Sequence, residues 1–336
     1  MSQAAPPPTG PATESWQDPR THPVLRIGVS SCLLGEPVRF DGQHKRDAFV
    51  TGVLAEHVQL IPVCPEVAIG LGIPREPIRL TGDAAAPRAV GSRTPGLDVT
   101  DALADHGRRM ARELGDISGY VFKNKSPSCG KERVKVYHPG GGRPAGKGTG
   151  IYAAELMRAL PLLPVEEEGR LHDPGLRESF FERVFAYRRW QSWLTGRYSV
   201  GRLVAFHERH KLALMAHGAE PARRLGRIVG EAKGRKPAEV TAEYGAAFMA
   251  QLARRATPRS HTNVLHHLMG YLKQVLDEGD KAELLAVIDV YRRGEVPLIV
   301  PLTLLRYHFR RNPHPYVAGQ TYLNPYPAEW ILRSGI

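Results

Sequence analysis

Cysteine is scarce in this chain. Only three occur in 336 residues, so no disulfide framework can hold the fold together, and three thiols cannot all pair with one another. Long hydrophobic runs are missing too. Nothing approaches the run of about 20 apolar residues needed to cross a bilayer, so no membrane span is expected. The opening stretch, MSQAAPPPTGPATESWQDPRTHP, has neither a basic start nor an apolar core, which argues against a secretory leader. Its Pro, Ala and Thr content predicts a disordered tail over residues 1–22. Together these absences predict a cytoplasmic protein, in which thiols stay reduced.

Acidic residues are also short. There are 34 Asp and Glu against 46 Lys and Arg, a net charge of +12. Residues 201–336 hold 20 Lys and Arg against 12 Asp and Glu, so two thirds of the excess lies there. A surface of this sign attracts phosphate backbones. A merely soluble, arginine-rich protein has the same balance, so charge alone leaves nucleic acid open.

What is present reads as two regions. VLRIGVS (24–30), VQLIPVC (58–64), ISGYVFK (117–123), RVKVYH (133–138) and LLPVEE (162–167) are short apolar or alternating runs that predict strands. AFVTGVLAEHV (48–58), DVTDALADHGRRMARELGD (98–116) and GTGIYAAELMRALP (148–161) have helical spacing, the second with Asp98 or Thr100 as its cap. This alternation predicts an α/β N-terminal domain with an open, largely parallel, Rossmann-like sheet. After residue 170 the strand signals fade. Helical patterns at 177–194, 200–218, 238–256, 261–276, 280–294 and 296–311 predict an all-α C-terminal domain. The segment NPHPYVAGQTYLNPYPAEW (312–330) reads as an ordered loop wrapping it. No internal repeat is present.

Each cysteine follows a predicted strand: Cys32 in SSCLLG, Cys64 in VCPE and Cys129 in SPSCG. Ligands of open parallel sheets gather at the carboxyl ends of the strands, so all three thiols should reach one edge. Three thiolates suit zinc or an iron–sulfur cluster. No histidine stands at short spacing from them, so a fourth protein ligand is not evident. The alternative is three separate cysteines, each packing as a small hydrophobe.

SSCLLGEPVRFDG, CPEVAIGLGIPREP and KNKSPSCG, in that order, resemble the motifs of the thiouracil desulfidase (TudS-like) family across residues 24–165. The resemblance implies a [4Fe-4S] cluster on Cys32, Cys64 and Cys129. It implies an unligated iron that takes the sulfur of a thiolated pyrimidine without net redox change. It also implies a catalytic carboxylate at Glu66 and a catalytic serine at Ser126, with Ser128 as the second candidate. FHERHKLALMAH, HTNVLHHLMGYLK, VPLIVPLTLLRYH and YLNPYP resemble a YbgA-type helical domain over 202–328, and the fusion resembles bacterial tRNA 4-thiouridine desulfidases. The implied layout is a tail (1–22), a desulfidase domain (23–170), a helical connector (171–200) and a helical domain that holds tRNA (201–336). Two alternatives stand beside it: a desulfidase of free thiouracil, and a non-enzymatic RNA-binding protein with a structural metal.

Other signals are weaker. Arg39 and Asp41 in VRFDG, and Arg75 in IPREP, are candidate substrate contacts, although DG is also a plain turn signal. GGRPAGKGT imitates a phosphate loop but has Gly148 where the magnesium-binding hydroxyl belongs. It reads as a flexible basic turn beside the site, with Lys147 a candidate for RNA phosphate. His207, His210 and Lys211 share one helix face. RRLGR (223–227), KGRK (233–236) and RRATPR (254–259) are short basic patches that suit either RNA contact or a solvated face.

Overall fold

A computed structural model of the chain describes residues 25–94 and 96–327. The tail expected over 1–22 lies outside the described residues. In chain order the N-terminal region runs β1 (Leu25–Ser30), β2 (Val58–Val63), α1 (Pro65–Ala68), β3 (Ile78–Asp83), β4 (Ala86–Gly91), α2 (Thr100–Glu113), β5 (Gly119–Phe122), β6 (Val134–Tyr137), β7 (Pro144–Gly148), α3 (Ile151–Ala159) and β8 (Val165–Glu167). One sheet has the order β2-β1-β5-β8, and all its pairings are parallel. Ile27, Val29 and Val121 are fully buried in it, as a strand covered on both faces requires.

A second, mixed sheet has the order β4-β3-β6-β7. The run 133–138 therefore does not extend the parallel sheet. As β6 it pairs parallel with β3 and antiparallel with β7. Two details of the first region also differ from expectation. Residues 49–54 form a short π-helical turn rather than an α-helix. The residue that caps α2 is Val99, without a side-chain bond; Asp98 accepts the Thr100 N–H at 3.0 Å, and the Thr100 hydroxyl accepts from Ala89 N–H at 2.8 Å.

The second region is helical: α4 (Pro174–Thr195), α5 (Val200–Ala216), α6 (Ala219–Gly230), α7 (Pro237–Leu252), α8 (Pro258–Leu272), α9 (Glu278–Arg292), α10 (Ile299–Arg311) and the short α11 (Pro315–Ala318). At about 1.5 Å per residue, α4 is long enough to serve both regions. Its first half puts Phe180, Phe181, Val184 and Phe185 into the core beneath β1. Its second half puts Trp190 and Trp193 among Leu203, Phe206 and Tyr244 of the helical core. The Pro- and Tyr-rich segment closes the bundle: Tyr322 is fully buried, the Gln320 side chain donates to the Glu208 carbonyl at 2.7 Å, and the Thr321 N–H donates to the Arg209 carbonyl at 2.9 Å.

Candidate active site

β2, β1 and β5 are neighbours in the parallel sheet, and each ends at a cysteine-bearing turn. Cys32 sits in the helical turn Ser31–Leu34 immediately after β1. Cys64 follows β2 and is the residue capping α1. Cys129 lies in the turn after β5. All three line one cleft of about 330 Å³ at the carboxyl edge of the sheet.

Burial pushes the Cys32 thiol up to about 11, despite the nearby Lys123. Cys64 is raised by the same cause. Cys129 is raised well above the ordinary thiol value, although a hydrogen bond from Ser30 works the other way. The remaining upward push on Cys129 comes from Glu66 and the other two thiols. As free groups these sulfurs are protonated near neutrality, so they are poor nucleophiles. A cation bound among them reverses that balance, because metal ligation deprotonates a thiol outright.

The turn that presents Cys129 is stitched from within. Ser126 Oγ accepts the N–H groups of Ser128 (3.2 Å) and Cys129 (3.0 Å). The carbonyls of Pro127, Ser128 and Gly130 accept N–H bonds from Ile151, Ala153 and Gly150 at the start of α3. Gly150 makes this docking possible: a Cβ there would lie 2.5 Å from the carbonyl carbon and oxygen of Ser128. Lys125, just upstream, holds φ at +57°, a left-handed conformation uncommon for non-glycine residues.

Glu66 stands in the first turn of α1. Arg75 donates to its Oε2 from Nε (2.9 Å) and Nη2 (2.7 Å). The hydroxyl of Ser128, itself fully buried, donates to Oε1 at 2.7 Å. The carboxylate is thus fixed from both sides, and Arg75 is pinned in turn by the carbonyls of Val38 (3.0 Å) and Gly72 (2.9 Å).

The residues named from sequence divide as follows. Cys32, Cys64, Cys129, Glu66, Ser126, Arg39 and Arg75 line the cleft. Ser128 reaches it only through Glu66. Asp41 is outside the lining; it turns back on the Gln43 N–H at 3.1 Å and faces Arg39 at 3.4 Å, the plain turn that DG also predicts. Lys147 is exposed on β7, opposite Lys135. The expected flexible basic turn is therefore an edge strand outside the cleft, its main chain committed to pairing with β6. Sequence reasoning missed Phe40, Lys45, Lys123, Asn124 and Lys125, which also line the cleft. The lysines flanking SPSC were the available signal. With Arg39 and Arg75, five basic side chains and one carboxylate face this space. No group of three or more His, Cys, Asp or Glu among the described residues is arranged to hold a metal ion.

Comparison with known proteins agrees with the motifs. A family model described as 2-thiouracil desulfurase matches residues 27–168. A second, described as a protein of unknown function (DUF1722), matches 211–327. The uncharacterized protein YbgA of Escherichia coli (strain K12) is 32% identical over 161 residues, 47% of this chain and 95% of that protein. The uncharacterized protein YbbK of Bacillus subtilis (strain 168) is 31% identical over 143 residues, 40% of this chain and 90% of that protein. A solved structure of the [4Fe-4S]-dependent thiouracil desulfidase TudS is 32% identical, covering 44% of this chain and 93% of its own, with a TM-score of 0.34.

The N-terminal region is a 2-thiouracil desulfurase domain, and the protein is an enzyme of the desulfidase class. The chain belongs with both YbgA and YbbK, and it joins a 2-thiouracil desulfurase domain to a YbgA-type DUF1722 domain. Among the described residues no helix is long and apolar enough to cross a membrane.

Proposed function

We propose that the protein hydrolyses the thiocarbonyl of 4-thiouridine in tRNA, giving uridine and sulfide, with a [4Fe-4S] cluster held by Cys32, Cys64 and Cys129. The observation that carries this reading is the convergence of three cysteines, from three adjacent strand ends, on a cleft that also holds an anchored carboxylate. The donor set fits the cluster. It is three thiols converging on one cleft whose lining holds no histidine, the soft all-sulfur set that iron–sulfur clusters take. When bound, such a cluster supplies one iron without a protein ligand, a Lewis acid for the substrate's sulfur.

The chain's own groups supply the remaining chemistry. Glu66 takes the proton of the attacking water, its two oxygens oriented by Arg75 and Ser128. Ser126 has both backbone N–H bonds on its oxygen, so its own proton is left to donate into the cleft, toward the oxygen that forms at the reacting carbon. Arg39 and Lys125 at the wall suit the phosphates flanking a thiolated nucleotide, and Phe40, 36% exposed, offers a ring for stacking. The excess positive charge of residues 201–336 suits the rest of the RNA.

The test is anaerobic purification with iron and sulfide quantitation, then mixing with thiolated tRNA while following its near-ultraviolet thiocarbonyl band. About four irons per chain, and loss of the band only when they are present, is the expected result. Decay of free thiouracil with no effect on tRNA would keep the chemistry and replace the substrate. A persistent band with both substrates would reduce the chain to a binding protein.

A further inference from the structure

β8 ends on Glu166 and Glu167, and Glu168 opens the helical turn that follows. All three are buried, with exposures of 3%, 7% and 8%. Carboxylates leave water this completely only where partners compensate them. None of the three lines the cysteine cleft, yet their partners gather in one place beside it. Glu167 is level with Phe122, the last residue of β5, so the three stand where the loop 123–132 leaves the sheet. That loop carries Ser126, Ser128 and Cys129. Glu168 Oε2 accepts the Asn124 N–H at 2.7 Å, and its Oε1 accepts from the Lys123 ammonium. Glu167 Oε1 accepts the N–H groups of Lys131 (3.0 Å) and Glu132 (3.4 Å). Glu166 Oε1 accepts from Lys131 Nζ at 3.3 Å and from Arg170 Nε at 2.8 Å. The loop is held at both ends, and the Cys129 turn lies between the two holds.

The backbone shows what these holds impose. Lys125 and Arg133 keep φ at +57° and +58°, and each directly follows a residue whose N–H a glutamate accepts. Residues with a Cβ keep that conformation where their surroundings fix it. Lys123 is settled by the same contacts. Its ammonium is shared among Glu168, the Asn124 side-chain oxygen and the Asn124 carbonyl. Its three protons are therefore already placed, although the side chain lines the cleft.

We propose that Glu167 and Glu168 are positioning residues of the desulfidase site: they line no part of the cleft, and they set the loop that presents Cys129 and Ser126 to it. This rests on the cluster reading given above for what the loop is placed to hold. The two carboxylates do this differently. Glu167 makes both of its bonds with one oxygen, and burial pushes its carboxyl above the ordinary carboxylate range. The oxygen of an uncharged amide can take its place. Glu168 serves two donors with two oxygens. An amide there offers one oxygen and turns an NH2 against the other donor. Glutamine should therefore substitute at 167 and fail at 168.

The experiment compares the wild-type full chain with Glu167→Gln, Glu167→Ala and Glu168→Gln in two measurements. Each protein is loaded with iron anaerobically, and loss of iron to excess chelator is timed. Each is also prepared without iron, and alkylation of Cys129 and Cys32 by iodoacetamide is followed by peptide mapping. Glu167→Ala should lose iron about tenfold faster or more, the usual scale for removing a group that orients a metal ligand. In its iron-free form Cys129 should label about tenfold faster through local opening of the loop, while Cys32, whose turn the glutamate does not hold, keeps the wild-type rate. Glu167→Gln should follow the wild type in both measurements, and Glu168→Gln should follow Glu167→Ala in iron loss and Cys129 labelling. Wild-type iron retention and Cys129 labelling in Glu167→Ala and Glu168→Gln would overturn the assignment. Faster labelling of Cys32 and Cys129 together in Glu167→Ala would overturn it too, since that is general loosening of the fold. A wild-type chain that takes up no iron would overturn the cluster reading instead, and the Cys129 labelling would still decide whether the glutamates set the loop.

Discussion

Arg75 grips one oxygen of Glu66 with two guanidinium nitrogens, at 2.9 and 2.7 Å, and leaves the other oxygen to Ser128. Both partners are largely out of water, with side-chain exposures of 6% and 15%. The planar fork fixes the direction of the carboxylate as well as its charge, which a lysine's single ammonium does not. Arg75→Lys is expected to lower kcat/KM for thiouracil by about 10- to 100-fold with the iron content unchanged. Arg75→Ala adds a structural cost of about 3 kcal/mol, because it strands a part-buried carboxylate. Steady-state kinetics and denaturant unfolding separate the two effects. Wild-type kcat/KM in Arg75→Lys would remove the positioning role.

The two serines of SPSC are separable by what each one holds. Ser126 accepts the N–H groups of Ser128 and Cys129, so Ser126→Ala unties the turn that presents Cys129 as well as removing a donor from the cleft. Ser128→Ala removes only the support of Glu66 Oε1. We expect Ser126→Ala to lose iron on gel filtration and activity together. Ser128→Ala should keep its iron and lose about tenfold in kcat, the scale of one hydrogen bond to a charged group. Iron assay beside kinetics on each variant decides it.

The apo chain should be slow to alkylate. With the Cys32 thiol pushed up to about 11 by burial, its thiolate fraction at pH 8 is on the order of one in a thousand, against about one quarter for an ordinary cysteine. A raised value means the reactive form is absent below it and gained as pH climbs through it. Chain produced without iron should therefore react with iodoacetamide at Cys32 more than tenfold slower than free cysteine at pH 8, with the gap closing by pH 11. Peptide mapping after timed alkylation reads this directly, and fast labelling of Cys32 at pH 8 would contradict the burial seen in the cleft.

The parallel sheet was legible because its strands are apolar runs: β1, β2, β5 and β8 all fall inside stretches read from hydrophobic pattern alone. The convergence of the three cysteines follows from strand order. Of the second sheet only β6, inside RVKVYH, was legible. IRLTGD, APRAVG and PAGKG carry Gly, Pro, Asp and exposed Arg or Lys, so their local preference is for turns, and pairing across the sheet overrides it. Helix α6 is hidden in the same way. Pro221, Gly226 and Gly230 mask the buried face of Leu225, Ile228 and Val229. The pairing of Arg75 with Glu66 was not legible, because sequence gives charge but not partner. The hydroxyl that meets Glu66 lies 62 positions away in the chain. Gly150 carried no motif signal, since what requires it is a neighbouring backbone and not its own conformation.

Between the two regions, His217 on the helical side makes stability depend on pH. It is almost wholly buried, and burial alone would lower its value, but Glu182 at 3.3 Å and the Arg254 carbonyl hold its imidazole above the ordinary histidine range. Arg183 opposes them. A folded-state value above the unfolded one of about 6.5 means the charged ring stabilises the fold fully below that pH, and loses this contribution as pH rises through the folded value. The wild type should therefore lose melting temperature between pH 6 and pH 9 more steeply than His217→Gln, which keeps a side-chain amide but cannot titrate. Parallel melting curves for the two proteins across that range would show that the Glu182 contact does not hold the proton. A narrowing gap would place the protonated pair among the contacts that join α4 to the bundle.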